Sequence, residues 1–223
     1  MNYDYAVVGG GPAGCIAARE AAGRGDVVLF EEHAVQPVHC AGLISRSGFS
    51  ALGVRKGAFV LNEIRGAKLF SPLGTVAEVR SGDVKAYAVD RSLFDRHLLE
   101  RALARGVSYE NVMVDSVDGR LLSAGNKSFS ARNIILATGT NYNLPKSMGL
   151  KCPTEFLYGA QYDMDVECDR DMVELHFVVP DFFAWVIPLE DRARVGLCAK
   201  TNPTPHLASF VRRLAGGNRL KSR

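Results

Sequence analysis

Apolar and polar positions fall in blocks along this chain, and the blocks read as strands and helices before any composition is counted. Tyr3 to Val8 is a mostly apolar run of strand length, Gly9-Gly10-Gly11-Pro12-Ala13-Gly14 breaks it, and Cys15 to Ala22 is alanine-rich and favours helix. After Gly23-Arg24-Gly25, Val27-Val28-Leu29-Phe30 forms a second apolar strand closed by Glu31. Strand, glycine turn, helix and strand make a βαβ unit. Ala67 to Phe70 and Thr75 to Val79 flank Ser71-Pro72-Leu73-Gly74 and predict a hairpin. Leu93 to Arg105 carries apolar residues at helical spacing (Phe94, Leu98, Leu99, Leu103), with Asp90 or Ser92 as cap and Gly106 as stop. A strand near Asn111 to Val114, a turn at Asp118-Gly119 and a buried strand from Asn133 to Ala137 follow, the last ending in Thr138-Gly139-Thr140.

Beyond Pro145 the pattern changes. Phe156 to Val166, Met172 to Val178, Phe183 to Leu189 and Arg194 to Ala199 are strand-like runs with no helix between them, which predicts an antiparallel sheet. The expected fold class is therefore α/β, a Rossmann-like dinucleotide-binding domain with a second, antiparallel-sheet domain that recruits the hairpin. The bounds that follow are 1–64 and 86–150 for the first domain, 65–85 and 151–205 for the second, and 206–223 for a tail.

Composition narrows this picture only slightly. Hydrophobic residues at 47% and charged residues at 23% of 223 exclude a disordered or fibrous chain. The formal charge is +3, but Arg212, Arg213, Arg219, Lys221 and Arg223 lie in an acid-free end. Without them the remainder holds 22 basic against 24 acidic side chains, which offers nucleic acid no broad basic surface. Cys15, Cys40, Cys152, Cys168 and Cys198 are scattered and form no C-x-x-C pair, so neither a disulfide framework nor a metal site is expected, and a reducing cytoplasm fits. Asp4 stands where a secretory signal needs positive charge, and no stretch approaches the roughly 18 apolar residues of a membrane span. Any membrane contact is expected to be peripheral.

The glycine turn carries the chemistry. Gly9, Gly11 and Gly14 follow a strand and open a helix, and Glu31 ends the next strand. Gly9 permits the tight turn, Gly11 lets backbone approach a pyrophosphate, and Gly14 lets helix and strand pack closely. The helix N-terminus then stabilises phosphate charge through its unpaired N–H groups and dipole. Glu31 can accept hydrogen bonds from both ribose hydroxyls of an adenosine and would repel a 2′-phosphate. Glu32 is the alternative acid, on the opposite face of the strand. The competing reading is a purely structural glycine turn.

The G-G-G-P-A-G form resembles the flavin-binding members of the two-dinucleotide-binding-domain flavoproteins. Asn133-Ile134-Ile135-Leu136-Ala137-Thr138-Gly139 is similar to their strand ending in Ala-Thr-Gly, and Asp90-Arg91-Ser92-Leu93-Phe94-Asp95 to their helix start with an FAD-contacting arginine. The alternative for Arg91 is a solvated first-turn cation. FAD is the implied cofactor. Within that group, Gln36-Pro37-Val38-His39-Cys40-Ala41-Gly42-Leu43 resembles the cysteine- and glycine-containing loop of archaeal geranylgeranyl reductases, one residue shorter and with Ala41 for a glycine. Pro180-Asp181-Phe182-Phe183-Ala184-Trp185-Val186-Ile187-Pro188 resembles that family's P-x-x-Y-x-W-x-F-P motif, with Phe183 for tyrosine and Ile187 for phenylalanine.

The resemblance implies an FAD-dependent reductase of prenyl double bonds in archaeal ether-lipid precursors. Its cofactor contacts fall on Gly9, Gly11, Ala13, Gly14, Glu31, Cys40, Ala41, Gly42, Arg91, Val112 and Gly139. Phe183 and Trp185 are its substrate contacts, and Cys40 its proton donor or flavin-side residue. His39 is the other titratable neighbour, and a buried free cysteine is the plain alternative for Cys40. The implied partners are an isoprenoid lipid and an electron donor, ferredoxin or reduced nicotinamide; no nucleic acid is expected. The family continues with a third flavin motif that has no match after Gly196, so the chain reads as shortened at its C-terminus. A non-catalytic or fragmentary FAD-binding protein of the same family, or a flavin dehydrogenase delivering electrons to a quinone, are the alternative functions.

Overall fold

A computed structural model describes residues 1–33, 40–217 and 219. Gln36 to His39, Lys221 and Arg223, singled out above, lie outside the described residues. In chain order the elements are β1 (Asn2–Val8), α1 (Pro12–Ala21), β2 (Val27–Phe30), β3 (Leu43–Ser45), α2 (Arg46–Ala51), β4 (Val60–Ile64), β5 (Gly66–Phe70), β6 (Val76–Arg80) and β7 (Ala86–Val89). Then come α3 (Arg91–Leu103), β8 (Ser108–Glu110), β9 (Ser116–Asp118), β10 (Leu121–Ala124), β11 (Lys127–Leu136), α4 (Asn143–Ser147), β12 (Tyr158–Met164), β13 (Met172–His176), β14 (Ala184–Pro188), β15 (Ala193–Ala199) and α5 (Thr204–Gly216).

The chain forms two compact units, residues 1–38 with 92–154 and residues 39–91 with 155–223. In the first, six strands lie in the order β8-β2-β1-β11-β10-β9. The four strands β8, β2, β1 and β11 run parallel, and β10 and β9 add an antiparallel flap. Ala6, Val8, Val28, Phe30, Leu122 and Phe129 fill its core, with the Phe30 and Phe129 rings edge to face at 4.9 Å. The order reverses at β1, whose neighbours are β2 and β11, so the carboxyl end of β1 is where a doubly wound sheet leaves a crevice.

Three expectations are corrected here. Asn111 to Val114 is not a strand: pairing with β2 ends at Glu110, and Val112 turns back so that its N–H donates to the Glu110 carbonyl. α3 begins at Arg91, so Ser92 lies inside the helix rather than capping it, while Phe94, Leu98 and Ala102 make its buried stripe. Residues 39–64 and 86–91, expected with the first domain, cluster with the second unit. The cause is a small antiparallel sheet, β3-β7-β4, whose strands of three to five residues are too short to be told from loops by periodicity.

In the second unit the order is β12-β15-β14-β13-β5-β6. The predicted hairpin is β5 and β6, and it joins the sheet through a parallel pairing of β5 with β13. β14 is buried at every position because both faces are covered. Ala184 and Val186 face Leu207, Phe210 and Leu214 of α5; Trp185 and Ile187 face Val173, Ile64 and Ala88. Residues 206–217 are thus not a free tail, since α5 lays an apolar stripe on the sheet. Arg219 is likewise engaged. Its guanidinium donates to both oxygens of Glu174, at 2.7 and 3.0 Å, and to the Glu167 carbonyl.

Candidate functional site

At the end of β1 the chain turns through Gly9, whose φ of +106° is costly for any residue with a side chain. A Cβ there would lie 2.3 Å from the Ala137 carbonyl oxygen, and one at Gly14 would lie 1.7 Å from the Gly9 carbonyl oxygen. These two glycines therefore let β1, β11 and α1 meet at backbone distance. Gly11 differs: a Cβ there would meet nothing within 4 Å. It precedes α1, which starts at Pro12 and receives no side-chain cap, and Ala13 is exposed in the first turn. The N-terminal N–H groups are left for an anion.

Glu31 sits at the neighbouring strand end, only 9% exposed. Its carboxylate accepts from Gly10 N–H at 2.8 Å through one oxygen and from His33 N–H at 2.8 Å through the other. Its backbone is fixed as well, since Glu31 N–H donates to the Glu110 carbonyl and Asn111 Nδ2 donates to the Glu31 carbonyl at 2.7 Å. The oxygen that accepts from His33 N–H also lies 3.2 Å from His33 Nδ1. Gly139 lies beyond the end of β11, beside the turn that Gly9 packs against. Val112 is partly buried against the apolar cluster of the sheet.

Cys15 is a residue that sequence reasoning left as a helix position. It is buried, and its thiol donates to the Gly10 carbonyl at 2.9 Å. Burial first, then the negative charges of Asp95 and Glu31, push its pKa up to about 12. It stays protonated and ties α1 to the turn. No short-range sequence signal marks this, because donor and acceptor meet only once the turn is formed.

The remaining candidates belong to the second unit. Gly42 has φ +70°, and a Cβ there would crowd the Val89 carbonyl oxygen at 2.6 Å and the Arg194 guanidinium at 3.0 Å. Arg91, the first residue of α3, passes alongside, its Cγ 3.5 Å from the same point. Cys40 is exposed, with its sulfur accepting from Gly42 N–H at 3.4 Å. The loop is pinned from the large sheet: Arg194 donates to the Ala41 carbonyl at 3.0 Å while gripping Asp163 at 2.8 and 2.9 Å, and Gln161 Nε2 donates to the Cys40 carbonyl at 3.2 Å.

Phe183 and Trp185 lie on one face of the sheet, ring centroids 6.5 Å apart at 73°, with Phe182 stacked on Phe183 at 4.1 Å. Gln161 and Trp185 both pair in register with Gly196. A Cβ at Gly196 would lie 2.6 Å from the indole and 2.7 Å from Gln161 Cβ, so the glycine lets both side chains lean over it. The Gln161 Oε1 and the Trp185 Nε1 are buried and have no hydrogen-bond partner among the described residues. Such orphaned atoms cost about 1–3 kcal/mol each.

On the opposite face of the same sheet, Glu174 is 3% exposed and His176 8% exposed, Nε2 to carboxylate 2.8 Å. The His176 ring stacks on Phe70 at 4.2 Å. Burial pushes the Glu174 carboxyl up, but the hydrogen bonds from His176 and Arg219 outweigh it, and the group titrates below its ordinary range.

A doubly wound sheet with a glycine turn, a helix N-terminus without a side-chain cap and a buried carboxylate at the next strand end defines a dinucleotide-binding unit. The comparisons agree with this class. The family model of pyridine nucleotide-disulphide oxidoreductases matches residues 3–179, and the chain belongs to that family, with FAD as its cofactor. It is 30% identical to a digeranylgeranylglycerophospholipid reductase of Methanocaldococcus jannaschii, over 98% of this chain and 62% of the relative. It is 31% identical to an uncharacterized protein of the same organism, over 94% of this chain and 57% of that protein. The solved structure of a geranylgeranyl bacteriochlorophyll reductase-like protein from Thermoplasma acidophilum shares its fold, with TM-score 0.84, 24% identity, 96% of this chain covered and 62% of the other. The chain thus spans about three-fifths of the length of these relatives. Among the described residues no helix is long and apolar enough to cross a membrane.

Proposed function

We propose that this chain is the FAD-holding and substrate-facing portion of a reductase that saturates prenyl carbon–carbon double bonds in ether-lipid precursors. The reading rests first on the pairing of the glycine turn with Glu31, and second on likeness over nearly the whole chain to a relative named for that lipid. Reduced FAD, when bound, supplies the hydride. Gly11 and the first turn of α1, including Ala13, receive the pyrophosphate, and Glu31 takes the ribose hydroxyls. Gly139 and Val112 border the adenosine half of the site.

Cys40, Ala41, Gly42 and Arg91 are assigned to the flavin side. The Cys40 thiol is the proton donor in this scheme: it is exposed, and its sulfur is aimed by the Gly42 N–H. Phe183 and Trp185 form apolar walls that exclude water from a prenyl chain. The remaining partner is an electron donor, ferredoxin or reduced nicotinamide, and contact with the membrane surface from the cytoplasmic side delivers the lipid.

FAD titration of the purified chain, followed at visible wavelengths, tests the cofactor assignment. Glu31→Gln should weaken FAD about tenfold or more, because the amide puts an N–H where the carboxylate accepts one. Unchanged affinity would remove Glu31 from the ribose role. Dithionite-reduced protein offered a geranylgeranyl lipid should return product heavier by two hydrogens per double bond reduced; an unaltered lipid mass refutes the substrate assignment.

A further inference from the structure

We infer that Gln161 and Trp185 form a recognition site for a hydroxyl group on an apolar ligand. The inference deepens the reading above and rests on it only in taking the Phe183 and Trp185 face as the wall of an apolar ligand. Three observations carry it. Trp185 is nine-tenths buried, and its Nε1 donor has no partner among the described residues. Gln161 Oε1, an acceptor, is buried and unpartnered in the same way. Both side chains lean over Gly196, the one register position they share, and the indole and Gln161 Cβ fill the space a Cβ would take, which brings the two side chains together.

The orientation of the Gln161 amide is settled by chemistry. Its Nε2 faces the Cys40 carbonyl at 3.2 Å, and a backbone carbonyl only accepts, so the amide must present nitrogen there and turn its oxygen inward. The site therefore offers one neutral donor and one neutral acceptor, set in an apolar cluster that includes Val173, Ile187, Leu175 and Cys198. A phosphate would meet the Gln161 carbonyl dipole with its own acceptors, and an ammonium would meet the indole N–H with its own donors. A hydroxyl is the smallest neutral group that both accepts from Nε1 and donates to Oε1. Burying these two atoms unmatched also penalises a ligand lacking the hydroxyl, which is how such sites discriminate most sharply.

Trp185 is the only tryptophan of the chain, so its fluorescence reports the site directly. Farnesol, farnesene and farnesyl phosphate share a prenyl chain and differ at the end group. Titrated into the full chain, farnesol should shift the Trp185 emission and bind about tenfold or more tighter than farnesene, with farnesyl phosphate no tighter than farnesol. In Gln161→Leu the preference for farnesol over farnesene should fall to near unity while farnesene affinity holds or rises. Trp185→Phe, read by calorimetry, should do the same. Equal affinity of the unaltered protein for farnesol and farnesene overturns the inference, as does tighter binding of the phosphate or no binding of any of the three. Because the lipid mass assay is separate, lipid reduction without hydroxyl preference would retire this site and leave the reductase reading standing.

Discussion

Around the glycine turn at the end of β1, Gly10 N–H meets Glu31, the Cys15 thiol meets the Gly10 carbonyl, and Asn111 meets the Glu31 carbonyl. Around Gly196 in the second unit, the Gln161 oxygen and the Trp185 N–H meet no described group. Both regions use a glycine to create room, but the first is finished by the protein and the second is not. The turn is consequently held by the protein's own hydrogen bonds, and a phosphate bound there would add to a completed scaffold. The Gly196 region is energetically open, and a ligand that matches its two atoms stabilises the folded chain as well as itself.

The comparison breaks most visibly at Gly14. Gly14→Val places a side chain against the Gly9 carbonyl with no flexible neighbour to yield, and about 3 kcal/mol or more of stability should be lost. Denaturant unfolding checks this, and a fully stable variant would mean that close helix packing does not shape the turn. Arg219→Ala follows, at about 3 kcal/mol, because it removes the guanidinium that pairs with both oxygens of the buried Glu174. This tests whether the α5 face of the second sheet is as fully matched as the turn.

Acid sharpens the same point. The Glu174 pKa lies below its ordinary 4.5, so its contribution is fully present above that pH and is lost as pH falls through the lower folded value. Stability measured between pH 6 and pH 3 should decline more steeply in the unaltered protein than in Arg219→Ala. Equal slopes would disconnect Arg219 from that carboxyl. The smallest effect belongs to Gly11→Ala: stability should change by less than about 0.5 kcal/mol, because the Cβ enters open space, while FAD affinity drops. A stability loss comparable to that of Gly14→Val would erase the distinction between packing and ligand glycines.

The βαβ turn was readable in advance because each of its parts is local: a period change, three glycines and an acid fall within one short stretch. The hairpin and the four later strand runs were readable for the same reason, although the parallel joining of β5 to β13 was not, since register between distant strands leaves no local trace. The three-stranded sheet escaped because Leu43–Ser45 is too short to show alternation. Glu174 did carry a sign, a charged residue within the otherwise apolar run Met172 to Val178. Its partner Arg219 lies 45 residues away, within an end that composition alone presented as surplus charge. The unmatched atoms of Gln161 and Trp185 had no sign at all, for they arise only when β12, β15 and β14 come into register.

The Cys15 thiol has a consequence for life beside a redox cofactor. With a pKa near 12, roughly one molecule in 10⁵ carries it as thiolate at neutral pH. Thiolates are the nucleophiles that attack peroxide and disulfides, so this sulfur is withheld from the oxidation ladder while it stands next to the glycine turn. The chain can keep a cysteine against its glycine turn without making that cysteine a sensor.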